Sequence, residues 1–179
     1  MRNRRGFTLI EMSAIIVIVT LFAALATPSF LARQRTREVT AFFVRLPDLA
    51  VYAREAAQRD ERTVRVYFDE GQNQFIAEAE GVVDDTGVQD EGSTIRQVAM
   101  PGDVRTTNFR QEENSVNAGE WELTFYPDGR SDGGAVELDD NGRIRSMVVA
   151  PDGTVRLQEG PMPTIDERRW PAGEREQRL

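Results

Sequence analysis

The sequence predicts an α+β fold, a long N-terminal helix packed on antiparallel β-sheet. Three observations lead there. A long apolar run near the N-terminus passes into a stripe of apolar residues at helical spacing. Beyond Arg59 the pattern changes to short segments that alternate apolar and polar residues. The last of these segments are separated by Asx-Gly pairs, the residues that a tight hairpin demands.

The elements follow in order. Arg4 and Arg5 precede Gly6, and from Phe7 to Ala32 the only ionisable side chain is Glu11. As a helix this run rises about 39 Å at ~1.5 Å per residue, enough to cross a hydrocarbon core of roughly 30 Å. A transmembrane helix is therefore expected over residues 7–32, after a basic segment of residues 1–6. Val39, Phe42, Phe43, Leu46, Leu49, Ala50, Ala53, Ala56 and Ala57 then form an apolar stripe, with Arg45, Asp48, Arg54, Glu55 and Arg59 around it. One helix is expected from Phe7 to Gln58. Its amphipathic part, residues 33–58, belongs to a globular domain of residues 33–160. Pro28 and Pro47 each remove a backbone donor and are expected to kink or loosen it.

Strands are expected at Val64 to Phe68, around Phe75 and Ile76, at Ile95 to Met100, at Val104 to Phe109, and where Trp121, Leu123 and Phe125 alternate with Glu120, Glu122 and Thr124. Residues 81–92 and 111–119 read as polar loops. Asp128-Gly129, Asn141-Gly142 and Asp152-Gly153 delimit further strands at Ala135 to Leu138, Arg143 to Ala150 and Thr154 to Leu157, which predicts an antiparallel meander. Residues 161–179 are charged and poor in apolar side chains, and read as a flexible tail. No internal repeat is evident.

Composition narrows the function. The chain has 179 residues, 29% of them charged, and a mean hydropathy of -0.47, so most of it outside the apolar run faces water. All basic residues are arginine. Removing Arg2, Arg4 and Arg5 from 22 basic and 30 acidic residues moves the net charge from -8 to -11. A surface of that sign repels phosphate backbones, so nucleic acid is not an expected partner. Gly142-Arg143-Ile144-Arg145 is the best stretch for a DNA contact, and arginines paired with acids explain it better. With no cysteine and no histidine, disulfides, Cys-His zinc sites and His-based triads are excluded. Asp139 and Asp140 beside Asn141-Gly142 lack the alternating ligands and distant glutamate of an EF-hand, so a hairpin turn is expected there. No carboxylate pair carries a recognisable catalytic spacing. No cofactor, metal or active site is assigned, and an enzyme is not expected.

Arg4-Arg5-Gly6-Phe7-Thr8-Leu9-Ile10-Glu11 and the run behind it resemble the processing site of type IV pilin-like precursors, shared by prepilins and pseudopilins. The glycine junction precedes the apolar stretch, the reverse of an ordinary secretory signal. The resemblance implies cleavage between Gly6 and Phe7 by a prepilin peptidase and methylation of the new Phe7 amine. Pro28, the twenty-second residue after that cut, also resembles the family pattern. A carboxylate inside an apolar run is costly and reads as functional by default. Glu11 then has two readings. It is an interfacial carboxylate at the headgroups, or it pairs with the N-terminal amine of a neighbouring subunit and sets axial register.

Leu123 to Leu138 carries a second resemblance, to the H-type minor pseudopilin of type II secretion and its minor-pilin relatives. A strand, a turn at Asp128-Gly129, the paired Gly133 and Gly134, and a second strand follow in the family order. The implied function is assembly without chemistry. The chain would be a minor pseudopilin in the inner membrane, with its N-terminus cytoplasmic and its C-terminal domain periplasmic. Its expected partners are the prepilin peptidase, other pseudopilins in a filament, and the inner-membrane secretion platform. The basic leader agrees with that orientation, while Arg33, Arg35 and Arg37 oppose it by simple counting. Two alternatives stay open: a minor pilin of a type IV pilus or DNA-uptake system, and a membrane-anchored periplasmic enzyme or binding protein.

Overall fold

The computed structural model describes residues 9–81, 92–112 and 114–163, without side chains for 23–33. The chain divides into two compact units, Met1–Thr40 and Ala41–Leu179. The elements are α1 (Leu9–Asp60), β1 (Val64–Asp69), β2 (Gln74–Ala79), β3 (Ser93–Ala99), β4 (Val104–Gln111), β5 (Asn114–Val116), a 3₁₀ turn (Ala118–Glu120), β6 (Glu122–Phe125), β7 (Gly134–Asp140), β8 (Arg143–Val149) and β9 (Val155–Glu159). The fold is α+β.

In the first unit the described side chains from Leu9 to Phe22 are all exposed, apolar ones included. The two hydroxyls there turn inward along the helix. The Ser13 hydroxyl donates to the Ile10 carbonyl at 2.9 Å, and Thr20 Oγ1 reaches the Ile16 and Val17 carbonyls at 2.9 Å. Backbone oxygens thus satisfy the hydroxyls without water, which is what an apolar surrounding requires. Among the described residues no helix is long and apolar enough to cross a membrane. The remainder of the expected span, positions 23–32, lies outside the described side chains.

α1 runs unbroken through Pro28 and Pro47. At Pro47 the missing hydrogen bond and ring clash cost about 3 kcal/mol. Burial of Phe43, Leu46, Leu49 and Ala50 on either side offsets that, at roughly 1.5–3 kcal/mol for each large apolar side chain. The helix ends two residues beyond the expected Gln58. Glu61 takes φ 52, and the Arg62 N–H returns to the Ala57 carbonyl at 3.2 Å. This is the long-range bond of a Schellman cap, made here without the usual glycine.

In the second unit every residue of the expected stripe from Phe42 to Ala57 is buried. Its cover is two antiparallel sheets, ordered β3-β2-β1-β6 and β5-β4-β7-β8-β9. One aromatic chain joins the parts. Phe42 lies 6.3 Å from Phe75, Phe75 lies 5.9 Å from Trp121, and Trp121 lies 5.4 Å from Phe109. The buried Trp121 indole N–H donates to the Arg110 carbonyl at 3.2 Å, so its polar edge is also satisfied.

Three expectations need correction. The C-terminal half is not a single meander. β6 pairs with β1, setting Leu123 against Val66 and Phe125 against Val64, while β7 pairs with β4 and β8. The Asp128-Gly129 turn therefore lies on the passage from one sheet to the other. Residues 111–119 are not a plain loop, because β5 and the 3₁₀ turn fall there. Asn114-Ser115-Val116 has no apolar alternation to announce it, and it pairs through its backbone with the edge of β4. The expected tail also starts too early. Pro161 to Pro163 are tied to the second sheet, while 164–179 lie outside the described residues, as do loop positions 82–91.

Candidate functional site

The turn at Tyr126-Pro127-Asp128-Gly129-Arg130 has a twin at Ala150-Pro151-Asp152-Gly153-Thr154. In each, proline pre-sets the first turn residue and the aspartate holds the loop through its side chain. The Tyr126 N–H donates to the Arg130 carbonyl at 2.9 Å, and the Ala150 N–H to the Thr154 carbonyl at 2.9 Å. Asp128 Oδ1 accepts the Arg130 N–H and Asp152 Oδ1 accepts the Thr154 N–H, both at 2.9 Å. Gly129 and Gly153 both have positive φ, 83° and 76°. The repeated Pro-Asp-Gly was readable in the sequence, and the expectation of no internal repeat missed it.

The twins pack against each other and against the end of α1. A Cβ on Gly153 would run into the Gly129 carbonyl and meet Arg54 Cδ at 3.0 Å. A Cβ on Gly129 would collide with the Gln58 side chain. The Ser131 N–H donates to the Pro151 carbonyl at 3.0 Å, closing the pair from the other side. Gly134 is fixed by space alone, since a Cβ there would lie 2.7 Å from the Arg110 carbonyl and 2.7 Å from Leu123 Cδ2. Gly129 thus meets Gln58 and Arg54, and Gly133 meets Pro151 of the second turn, contacts the sequence reading did not name, while Gly134 lies apart against Arg110 and Leu123.

The electrostatics are those of a fastening. The Thr154 backbone N–H, then its hydroxyl, then Arg54 and Arg156 hold the Asp152 carboxyl below its ordinary range. Tyr126 donates to Asp132 Oδ1 at 2.7 Å, and that bond, with some burial, pushes its hydroxyl up. These bonds run within the fold.

The remaining candidates resolve as follows. Asn141 (φ 51) and Gly142 (φ 88) form a two-residue hairpin between β7 and β8, and Asp139 Oδ1 accepts the Gly142 N–H at 2.6 Å. Among the described residues no group of three or more acidic side chains could hold a metal ion. Arg145 stacks on Phe43 with its guanidinium carbon 4.2 Å from the ring centre, so it packs on the core. Glu11 lies exposed in the first turn of α1, and Pro28 lies within α1. Gly6 and Phe7 lie outside the described residues.

Comparison with known proteins bears on both ends of the chain. Residues 45–153 match the family model for Type II transport protein GspH, and residues 1–27 match the prokaryotic N-terminal methylation motif. The minor pseudopilin EpsH from the type II secretion system of Vibrio cholerae gives a TM-score of 0.52 at 10% identity, over 71% of this chain and 98% of that one. A second EpsH structure gives 0.49 at 12% identity, over 68% and 97%. The type IV minor pilin FimU of Pseudomonas aeruginosa gives 0.47 at 16% identity, over 70% and 90%. At such identities the 0.52 match is a likeness of fold. No curated protein sequence matches the chain.

Proposed function

This chain belongs to the Type II transport protein GspH family, and from that premise we propose that it is a minor pseudopilin of a type II secretion system. The observation that carries the reading is the order of two matches, a methylation motif over residues 1–27 followed by the family domain over 45–153. The first supplies processing and an anchor, the second a subunit body.

In this reading a prepilin peptidase cuts between Gly6 and Phe7 and the Phe7 amine is methylated. The anchor, residues 7–32, keeps the mature chain in the inner membrane, with the domain of residues 33–160 in the periplasm. Subunits then leave the bilayer laterally to join other pseudopilins above the secretion platform. Apolar side chains exposed all round the first turns of α1 suit both stages, because lipid and a bundle of like helices are equally apolar. Glu11 is the exception, and its role is to meet the Phe7 amine of the next subunit. A charge in that surrounding gains by pairing, which favours one axial register over others. The Pro-Asp-Gly pair keeps the subunit body rigid by fastening the end of α1 to both sheets.

The experiment is N-terminal mass spectrometry of the mature chain together with an export assay. The account expects a chain beginning at N-methylated Phe7, loss of exported protein when the gene is deleted, and uncut precursor for Gly6→Glu. A mature N-terminus beyond the apolar run, or a deletion that abolishes DNA uptake and leaves export intact, contradicts it.

A further inference from the structure

The face of the five-stranded sheet turned away from α1 is covered, although no strand or helix lies on it among the described residues. Strand alternation defines that face. Val136, Leu138, Arg145 and Met147 point toward α1, as the Arg145–Phe43 stack requires. Arg110, Ala135, Glu137, Ser146 and Val148, at paired or alternate positions, therefore point the other way. Yet Ala135 and Ser146 are 0% exposed, Val148 5% and Arg110 9%. A solvent face does not bury a serine and an arginine without a partner for each.

The partner is the segment that leaves β9. Gly160 takes φ 98, a conformation that turns the chain off the sheet edge and that a side chain rarely allows. The chain then crosses β8, β7 and β4 in turn. Ser146 Oγ donates to the Gly160 carbonyl at 2.7 Å, Glu137 Oε2 accepts the Met162 N–H at 3.1 Å, and Arg110 Nη1 donates to the Pro163 carbonyl at 2.6 Å. Thr107 Oγ1 steadies the same Glu137 carboxylate at 3.0 Å. All three ties reach main-chain atoms. Pro161 and Pro163 carry no N–H to leave unmatched, and their fixed φ keeps the segment extended before it binds. The small Ala135 and Ser146 leave depth for a backbone to lie on the sheet.

We propose that this face is a peptide-binding track for an extended, proline-containing segment recognised through its backbone, and that residues 160–163 occupy it in cis as a strap hinged at Gly160. The segment is a ligand of the sheet, so the track recognises it even when it is supplied as a separate peptide. Glu137 and Arg110 set polarity, one reading an N–H and the other a carbonyl, so a segment in the reverse direction does not satisfy both.

The chain has no cysteine, which makes a single introduced thiol an unambiguous probe. Val148→Cys places it on the covered face, opposite Ala135, and Val136→Cys on the opposite face reports folding. In the full-length chain both thiols should resist alkylation. Ending the chain after Glu159, or replacing Gly160 by Val in the full-length chain, should speed labelling at 148 roughly tenfold or more while 136 stays protected. A synthetic peptide with the sequence of residues 159–163 should slow labelling at 148 again in the shortened chain, and should fail once Arg110→Ala is added. Slow labelling at 148 in both strap variants would show that the strap does not cover the face. Fast labelling that the peptide leaves unchanged would show that the segment is held only by its tether, and would overturn the track.

Discussion

The two halves of α1 are built of the same kinds of residue and solve opposite problems. From Leu9 to Phe22 isoleucines, valines and leucines are exposed on every side, at 53% for Ile18 and 69% for Phe22. From Phe42 to Ala57 the apolar residues other than the exposed Val44 and Val51 keep to one side, and Leu46, Leu49, Ala50, Ala53 and Ala57 are wholly buried. The second half is held by the domain that it helps to form. Under the proposed function the apolar surface of the first half is left for lipid and for other helices. A single secondary structure thus carries two energetic roles. Mutations should separate them, with folding sensitive in one half and assembly in the other.

The largest folding effect should come from the buried stripe. Phe42→Asp removes a ring that touches Phe43 and Phe75, and leaves a carboxylate without water. Losing the aromatic alone costs about 3–5 kcal/mol and the charge adds to it. The domain, produced from about Arg35 onward, should be monomeric and cooperative as wild type and unfolded as this variant, as thermal denaturation followed by circular dichroism would show. An unchanged melting curve would mean that the stripe does not face the core.

Next come two glycines, one packed between strands and one against the end of α1. Gly134→Val drives a branched side chain into the Arg110 backbone and Leu123, and should cost upwards of ~3 kcal/mol. Gly129→Ala meets mainly the flexible end of Gln58, and its positive φ sets a penalty of roughly 1–2 kcal/mol. Chemical denaturation should rank the two in that order. The reverse ranking would place the constraint in the turn's backbone instead of in the packing of the sheets.

The smallest effect is expected at Asp152, whose folded carboxyl is held below its ordinary range by Thr154 and the nearby arginines. A depressed carboxylate stabilises the fold above its unfolded value of about 3.9, and that contribution is lost as pH falls through the folded value. Asp152→Asn should therefore melt lower than wild type at neutral pH, with the gap closing only below about pH 4. A gap independent of pH would assign the effect to the amide's own hydrogen bonds and not to charge.

Much of this was legible in the sequence, and the misses share a cause. The stripe from Phe42 to Ala57 could be read because burial on one helix face imposes its spacing on the residues. The hairpin at Asn141-Gly142 could be read because positive φ at two successive positions selects those residue types. β5 and the strap at Gly160 to Pro163 could not, because both bind through backbone groups that every residue possesses. The division of the strands into two sheets was equally hidden. It depends on which strand meets which, and Leu123 opposite Val66 looks in sequence like any other apolar pair. At the Pro-Asp-Gly turns the reading named both Asp-Gly pairs as turn signals, and missed that Pro127 and Pro151 make them twins that could pack together.

The account rests most heavily on the claim that the first half of α1 serves assembly and not folding, with Glu11 as its register. Glu11→Leu tests it directly. The variant removes the only charge between Phe7 and Ala32, so insertion should be as good as wild type or better. At matched protein levels the account predicts a chain cut at Gly6, stable in the membrane and with an unchanged domain melting curve. It should crosslink poorly to other pilin-like subunits and lower the export of secreted proteins. Normal crosslinking together with normal export would contradict it, and would leave Glu11 as an interfacial carboxylate with no part in assembly.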